Sequence, residues 1–210
     1  MAQLLSTTLQ TSNDDALRAM FAARKRVFID LLKWDLPALD GKFEIDEFDN
    51  EHAHYLILLD RDGGHLGSTR LLPTTRRHIL GGLFASLCDG PVPTGPVTYE
   101  ITRFCLDRSL RAPERRSVRD QLITAIVQHA MHEGIERYTG VAEMAWLRQI
   151  LGFGWDCRPL GTPQSGPCGT IGAIEIRIAD DTSTLLDATG IWRPVTTLIC
   201  NERRAAGARN

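Results

Sequence analysis

The sequence predicts an α/β sandwich, one mixed sheet covered by helices, and three observations point there. Two apolar, β-prone runs, "HAHYLILLD" and "HLGSTRLLP", flank the turn "RDGG" and read as an antiparallel hairpin. The segment "APERRSVRDQLITAIVQHAMHEG" carries Val118, Leu122, Ile126 and Ala130 at helical spacing and reads as a long amphipathic helix. Strand-like runs precede and follow that helix, and two strands joined through a helix pair in parallel. A hairpin followed by strand–helix–strand therefore gives a mixed sheet with helices packed on it.

The remaining elements follow in order. From "SNDD" to about Lys33, the residues Leu17, Met20, Phe21, Ala23, Val27, Phe28, Leu31 and Leu32 recur at helical spacing, with Ser12 or Asn13 as N-cap. "PALDGKFEIDEFDNE" is a long acidic loop ahead of the hairpin. "ILGGLFASLCDGPVPTGP" is rich in glycine and proline and reads mostly as loop, with one helical turn near Leu83. "VTYEITRFC" is a strand. In the long helix Pro113 sits early, where its missing N–H costs nothing, and Gly134 takes the position just past the end. "IERYTGVAE" is a strand, "MAWLRQILGF" a short helix, "TIGAIEIRIA" a late strand and "DTSTLLDA" a final helical turn. No internal repeat or linker interrupts the chain, so a single domain is expected over 1–210, with its core at about 13–180 and a tail at about 190–210.

Composition excludes several classes. The 210 residues are 43% hydrophobic and carry a net charge of -2, so a sizeable core forms and no global basic field draws in nucleic acid. No stretch is apolar enough to span a bilayer, and "MAQLLSTTLQ" lacks the basic start and apolar run of a secretory signal. The five cysteines, Cys88, Cys105, Cys157, Cys168 and Cys200, are scattered and odd in number, which suits a reducing cytoplasm better than a disulfide framework. Two local basic features remain: Arg108, Arg111, Arg115, Arg116 and Arg119 beside the long helix, and the tail "NERRAAGARN". On charge alone both read as solvated surface.

Chemistry points to two places. In "VTYEITRFC", Glu100 and Arg103 interrupt an interior-looking strand, where an unpaired charge is costly. Three residues apart, they fall on opposite faces of a regular strand, whereas a β-bulge would bring them to one face. The acidic loop holds Glu44, Asp46, Glu47, Asp49 and Glu51 among Phe43, Ile45 and Phe48. That alternation predicts a folded segment presenting carboxylates at fixed places, for a cationic ligand, an arginine or a metal. Asp49, His52 and His54 form a loosely specified metal alternative, and the reading taken is that no metal is held. No G-x-S-x-G elbow, G-x-G-x-x-G turn or Walker loop is present.

Taken in order, these fragments resemble the acyl-homoserine lactone synthases, the autoinducer synthases of bacterial quorum sensing. "RKRVF" carries Arg24 and Phe28, "KWDL" carries Trp34, and "EIDEFDNEHAHYL" carries Asp46 and Asp49. "GSTRLLPT" supplies Arg70, "LF" supplies Phe84 and "YEITRF" supplies Glu100 and Arg103, with "GW" at Gly154 and Trp155 further on. Tyr99 stands where the family often has tryptophan, a conservative aromatic change. The resemblance implies an N-acetyltransferase-like three-layer sandwich with a splayed mixed sheet. It also implies S-adenosylmethionine as substrate, with no separate cofactor, and an acyl thioester donor, either acyl-acyl carrier protein or acyl-CoA. The α-amine would be acylated and the carboxylate would then close the lactone, releasing methylthioadenosine.

The same resemblance assigns expected roles. Glu100, Arg103 and Arg70 are the catalytic group, with Glu100 as the base. Arg24, Phe28, Trp34, Asp46 and Asp49 would hold S-adenosylmethionine, where aromatic faces and carboxylates suit a sulfonium cation. Phe84, Phe104, Val141, Met144, Trp146, Leu147 and Ile150 would line the acyl tunnel, and each is equally explicable as core. "LDRSLRAPERRSV" contains no glycine to cradle a pyrophosphate, which favours a carrier-protein donor docked on the five-arginine cluster. The alternatives are a CoA-dependent N-acyltransferase, or a sensor that binds S-adenosylmethionine or a lipid without turnover.

Overall fold

The computed structural model describes residues 2–9, 14–166, 169–195 and 197–199. The expected N-cap at Ser12 or Asn13, Cys168, Cys200 and the basic tail lie outside the described residues. The chain opens with β1 (Gln3–Thr8) and α1 (Asp14–Arg24), which runs on as a π-helical segment (Lys25–Leu31). A small ribbon of β2 (Ala38–Leu39) and β3 (Phe43–Glu44) leads to the hairpin of β4 (His54–Leu59) and β5 (His65–Pro73). Next come α2 (Ile79–Leu83), β6 (Thr98–Leu106), α3 (Ala112–Glu133), β7 (Arg137–Glu143) and α4 (Met144–Leu151). β8 (Asp156–Pro159), β9 (Gln164–Gly166), β10 (Gly169–Arg177), α5 (Thr182–Ala188) and β11 (Thr197–Ile199) complete the described fold.

The main sheet has the order β11-β1-β4-β5-β6-β7-β10-β8, with β9 also on β10. β6 and β7 pair in parallel and β1 pairs with β11 in parallel; the other ladders are antiparallel. Helices cover both faces, which makes the three layers expected. Leu56, Leu58 and Leu71 point to α3, where Val118, Leu122, Ile126 and Ala130 are buried with Leu147 and Ile150 of α4. Tyr55, Ile57 and Leu72, one position out of phase, point to α1 and meet Leu17, Met20 and Phe21. Alternation along the central strands thus divides the core in two.

Two departures from sequence expectation matter. β1 was not foreseen, yet Leu4 faces the α3 layer and Leu5 the α1 layer, so this strand is buried on both sides. The Gly/Pro-rich segment carries more helix than one turn: α2 is followed by a 3-10 turn at Ala85–Leu87. Gly134 closes α3 in the left-handed region at φ 70°, as its place in the sequence implied.

The β6–β7 ladder positions the site. Its registered pairs run from Thr98–Arg137 to Ile101–Gly140 and stop there. Beyond that point β6 continues against β5 and β7 against β10, so the centre of the sheet splays open. Gly140 fits because a Cβ there would lie 3.2 Å from the Ile101 carbonyl oxygen.

Leu122 of α3 is fully buried against this sheet. Leu122→Ala is expected to cost about 2–5 kcal/mol through lost contacts and a residual cavity. Urea unfolding at neutral pH checks this; a loss below about 1 kcal/mol would mean the α3 layer collapses around the gap.

Candidate active site

Three arginines and three carboxylates meet on the α1 face of the sheet. Arg24, at the end of α1, donates through Nε to Glu44 of β3 and through Nη1 and Nη2 to both oxygens of Asp49, at 2.8 and 2.9 Å. Arg70 of β5 grips Asp46 with two nitrogens, reaches Asp49 at 2.8 Å and donates from Nε to Thr102 Oγ1 at 3.0 Å. Arg103 of β6 bonds Glu44 at 3.0 Å and Asp46 at 2.7 Å. Tyr55 adds its hydroxyl to Asp49 at 2.9 Å, and the amides of Asp46 and Phe48 pin the loop onto its own carboxylates. The acidic loop is therefore an ordered half of the site. Its apolar residues serve as anchors: Phe48 is buried in the α1-side core, with Phe43 and Ile45 packed on that core.

With three charges of each sign, the network is formally neutral, which is what makes its burial tolerable. Burial alone would raise the Asp49 pKa, but Arg24 and Arg70 outweigh it and hold Asp49 well below the ordinary carboxylate range. Exposure is uneven. The side chains of Arg24, Arg70, Glu44 and Asp49 are at most 1% exposed, whereas Arg103 and Asp46 keep 10% and 11%. The outer edge of the network is thus a cation beside an anion.

The strand that raised the question of facing does contain a bulge. Ser68 pairs with Cys105 but Arg70 pairs with Thr102, so β6 spends one residue more than β5 across that interval. Arg103 takes up the excess at φ 51°, in the left-handed region that non-glycine residues rarely occupy. Glu100 and Thr102 lie on the same face as Leu72 and Arg70 by register, and the bulge rotates Arg103 onto that face too. The cost of an L-residue there, about 1–2 kcal/mol, is offset by ion pairs that a regular strand would forfeit.

Glu100 stands apart from the arginines. It is fully buried, and its two oxygens accept the amides of Ile79 at 2.7 Å and Leu80 at 2.8 Å, at the start of α2. Burial raises its pKa above the ordinary range, against the lowering pull of those amides and of His78 and Arg70. It sits one residue before the last β6–β7 pair, at the root of the splay.

The aromatic pair is also assembled. Phe28 lies in the π-helical segment; just beyond that segment the Trp34 amide donates to the Phe28 carbonyl at 2.9 Å, and the Phe28 and Trp34 rings stack with centroids 5.0 Å apart. The Arg103 guanidinium is 5.7 Å from the Phe28 ring centre.

The seven expected tunnel residues divide between the two faces. Phe104, Met144, Trp146, Leu147 and Ile150 belong to the α3-side core, with Phe104 and Trp146 rings 5.1 Å apart. Phe84 and Val141 pack instead on the α2 side with Leu80 and Leu87. Leu147 and Ile150 are buried core, while Phe104, Val141, Met144 and Trp146 are half-buried. Of the five arginines, Arg108, Arg111 and Arg116 are exposed; Arg115 is bonded to the Asp107 carbonyl and Arg119 to Asp120. His54 bonds Ser6 and stacks on His129 of α3, on the opposite face from Asp49, so the metal alternative is not assembled. Among the described residues no cluster of three or more potential ligands could hold a metal.

Sequence reasoning missed Glu44, Thr102 and Tyr55 as site residues. A charge count asks for a third carboxylate beside three interior arginines, which makes Glu44 of "FEID" one candidate among the loop's glutamates.

A sheet of this order, splayed between β6 and β7 and backed by α3, defines an N-acyltransferase type of fold. An acyl-CoA N-acyltransferase from Pseudomonas aeruginosa superposes with a TM-score of 0.60 over 83% of this chain and 99% of that one, at 16% identity, a likeness of fold alone. The family model described as autoinducer synthase matches residues 7–185. The chain belongs to the autoinducer synthase family. An acyl-homoserine-lactone synthase of Rhizobium etli is 32% identical over 186 residues, 87% of this chain and 85% of that one. The structure of the CoA-dependent acyl-homoserine lactone synthase BjaI, with SAM and isopentyl-CoA, superposes with a TM-score of 0.85 at 25% identity, covering 97% of this chain and 96% of that one.

Because Asp49 has a lowered folded-state pKa, its contribution to stability is full above the unfolded value of about 4 and fades as pH falls through the folded one. Asp49→Asn is expected to cost about 3–5 kcal/mol at pH 7, by stranding buried Arg24 and Arg70. Its urea midpoint should also fall less steeply than that of the wild type below about pH 4. Parallel acid profiles in the two proteins would refute this account.

Proposed function

We propose that this enzyme makes an acyl-homoserine lactone from S-adenosylmethionine and an acyl thioester. The observation that carries the reading is the placement of Glu100, a buried carboxylate at the point where β6 and β7 part. The donor's acyl chain enters the splay past Phe104, Val141, Met144 and Trp146, with the thioester carbonyl near Ile101 and Gly140. S-adenosylmethionine lies against the outer edge of the ion network. There Arg103 takes its carboxylate, Asp46 faces its positive charge, and Phe28 and Trp34 supply aromatic surface to the adenosyl-sulfonium part. Arg24, Asp49 and Arg70 act one step back, fixing Asp46 and Arg103 in position.

Glu100, directly or through one water, accepts a proton from the α-ammonium group. The freed amine attacks the thioester carbonyl, and the developing oxyanion is met by backbone amides left without a strand partner across the splay. The C–N bond forms, the C–S bond breaks and the thiol leaves. The substrate carboxylate then attacks the γ-carbon and expels methylthioadenosine, closing the lactone. No further cofactor is required by this sequence, and the reaction belongs in the cytoplasm, where both substrates are made. The donor is acyl-acyl carrier protein or acyl-CoA, and for a carrier protein the exposed Arg108, Arg111 and Arg116 offer the basic landing surface.

Purified protein incubated with S-adenosylmethionine and a panel of both donor types is expected to yield methylthioadenosine and acyl-homoserine lactone together, followed by mass spectrometry. Glu100→Gln should lower kcat by about 100-fold or more while leaving the protein folded. Because burial raises the Glu100 pKa, wild-type kcat/KM should fall with acidification at a pH above the ordinary glutamate value of about 4.3. Binding of S-adenosylmethionine without either product would replace the synthase with a sensor.

A further inference from the structure

α2 clamps the Glu100 carboxylate yet has little cohesion of its own. It has five residues, two of them glycine, well short of the length at which a helix sustains itself. The amides it gives to Glu100 belong to Ile79 and Leu80, its first two residues, which have no acceptor within the helix. Leu80 is anchored in the small core with Leu87 and Ala173. At the other end Phe84 both closes the helix and opens the 3-10 turn Ala85–Leu87, so whatever fixes that turn steadies the helix.

The turn is fixed by the connection between β8 and β9, a short strap that crosses from β10 onto it. The Leu160 amide donates to the Ala173 carbonyl of β10 at 2.9 Å, and the Leu160 carbonyl accepts the Asp89 amide at 3.0 Å. At the far end of the strap, Gln164 is registered against Ile171 of β10. Its Nε2 donates to the Ser86 carbonyl at 2.6 Å, and its Oε1 accepts from Ser86 Oγ at 3.3 Å. Gly161 lies between these two attachments. A Cβ there would stand 2.5 Å from the Leu87 carbonyl oxygen and 2.8 Å from the Asp89 amide nitrogen, so any side chain would displace the turn's backbone.

We propose that Gly161 and Gln164 are positioning residues for the reaction: by locking the turn after α2 to β10, they keep the Ile79 and Leu80 amides on Glu100 and fix the orientation of its carboxylate. The proposal rests on the synthase reading, in which Glu100 is the base. Neither residue touches Glu100; each acts through α2. The charged and titratable groups that act on Glu100 are Arg70 of β5 and His78 ahead of α2. On β7 the residue registered beside it is Thr139, which does not titrate, and neither α2 nor the strap from Leu160 to Gln164 carries a charge.

Gly161→Ala tests the proposal, since the added methyl displaces the turn without reaching Glu100. At neutral pH kcat should fall about 10-fold, with KM for S-adenosylmethionine within about twofold. The two amides favour the ionised carboxylate, so loosening them raises the Glu100 pKa further, and the acidic limb of kcat/KM should move up by about half a pH unit or more. Gln164→Ala should move the limb in the same direction, and carries the test if Gly161→Ala fails to fold. Leu122→Ala, which weakens the fold elsewhere, should leave the limb in place. A limb that stays put in the strap variants, one that moves as far in Leu122→Ala, or a loss carried by KM would overturn the assignment. Carboxyl carbon NMR shifts, with Glu100→Gln identifying the resonance, follow the same titration without turnover. Wild-type protein that makes no lactone would therefore defeat the synthase reading, while that resonance still decides whether the strap sets the clamp.

Discussion

The structure depends on burying three guanidinium groups at the junction of α1, the acidic loop and the central strands. None of them could be placed there alone, since an uncompensated buried charge is more costly than any one contact can repay. Each carboxylate is consequently shared: Glu44 between Arg24 and Arg103, Asp46 between Arg70 and Arg103, Asp49 between Arg24 and Arg70. The sharing closes a ring, so each side chain is held from two sides and no member can rotate without opening two ion pairs. A chain segment with little regular structure of its own is thereby made as definite as a strand. What this arrangement secures is position, because such pairs repay little more than their own desolvation.

The bulge at Arg103 follows from that ring. A regular β6 would send Arg103 to the α3 layer, the apolar side that holds Tyr99, Ile101 and Phe104, and away from Glu44 and Asp46. Adding one residue lets the strand continue with the right parity afterwards: Phe104 returns to the α3 side and Cys105 to the α1 side with Ala23 and Phe28. The π-helical segment is a similar adjustment on the facing element. It lengthens the turn that carries Phe28 and brings Trp34 back onto that ring. Two irregularities, one on each side, build a single edge.

Much of the fold was legible because burial leaves a periodic mark. The hairpin, α3, β7, α4 and β10 all read correctly from alternation or helical stripes, and "RDGG" and Gly134 marked their turns. β1 was not legible: "QLLSTT" is short, and a strand buried on both faces shows no alternation. The short β8 and β9 lie in a Gly/Pro-rich tail with mostly exposed residues and carry no pattern at all. For the candidate site, a charge in an apolar strand singled out Glu100 and Arg103, which the bulge brings to one face of the sheet. It could not say that Glu44, rather than Glu47 or Glu51, completes the ring, because loop residues acquire partners only from the tertiary fold. Glu47 in fact pairs with Arg77 at the surface.

Asp49 and Glu100 lie on one face of one sheet, and both side chains are buried, yet their pKa values move in opposite directions. Burial acts on both in the same sense, so the difference is in the partners. Asp49 is given two guanidinium groups and a phenol; Glu100 is given two backbone amides and no full charge in contact. Amides orient a carboxylate and stabilise its anion, but they leave a proton affordable where a guanidinium would exclude it. Under the proposed synthase reaction, these diverging proton affinities suit separate tasks, an electrostatic one for Asp49 and proton transfer for Glu100. The closed ring of six charges therefore has a second effect: its arginines are each bound to two of its own carboxylates, so although Arg70 still lowers the Glu100 pKa, burial prevails there.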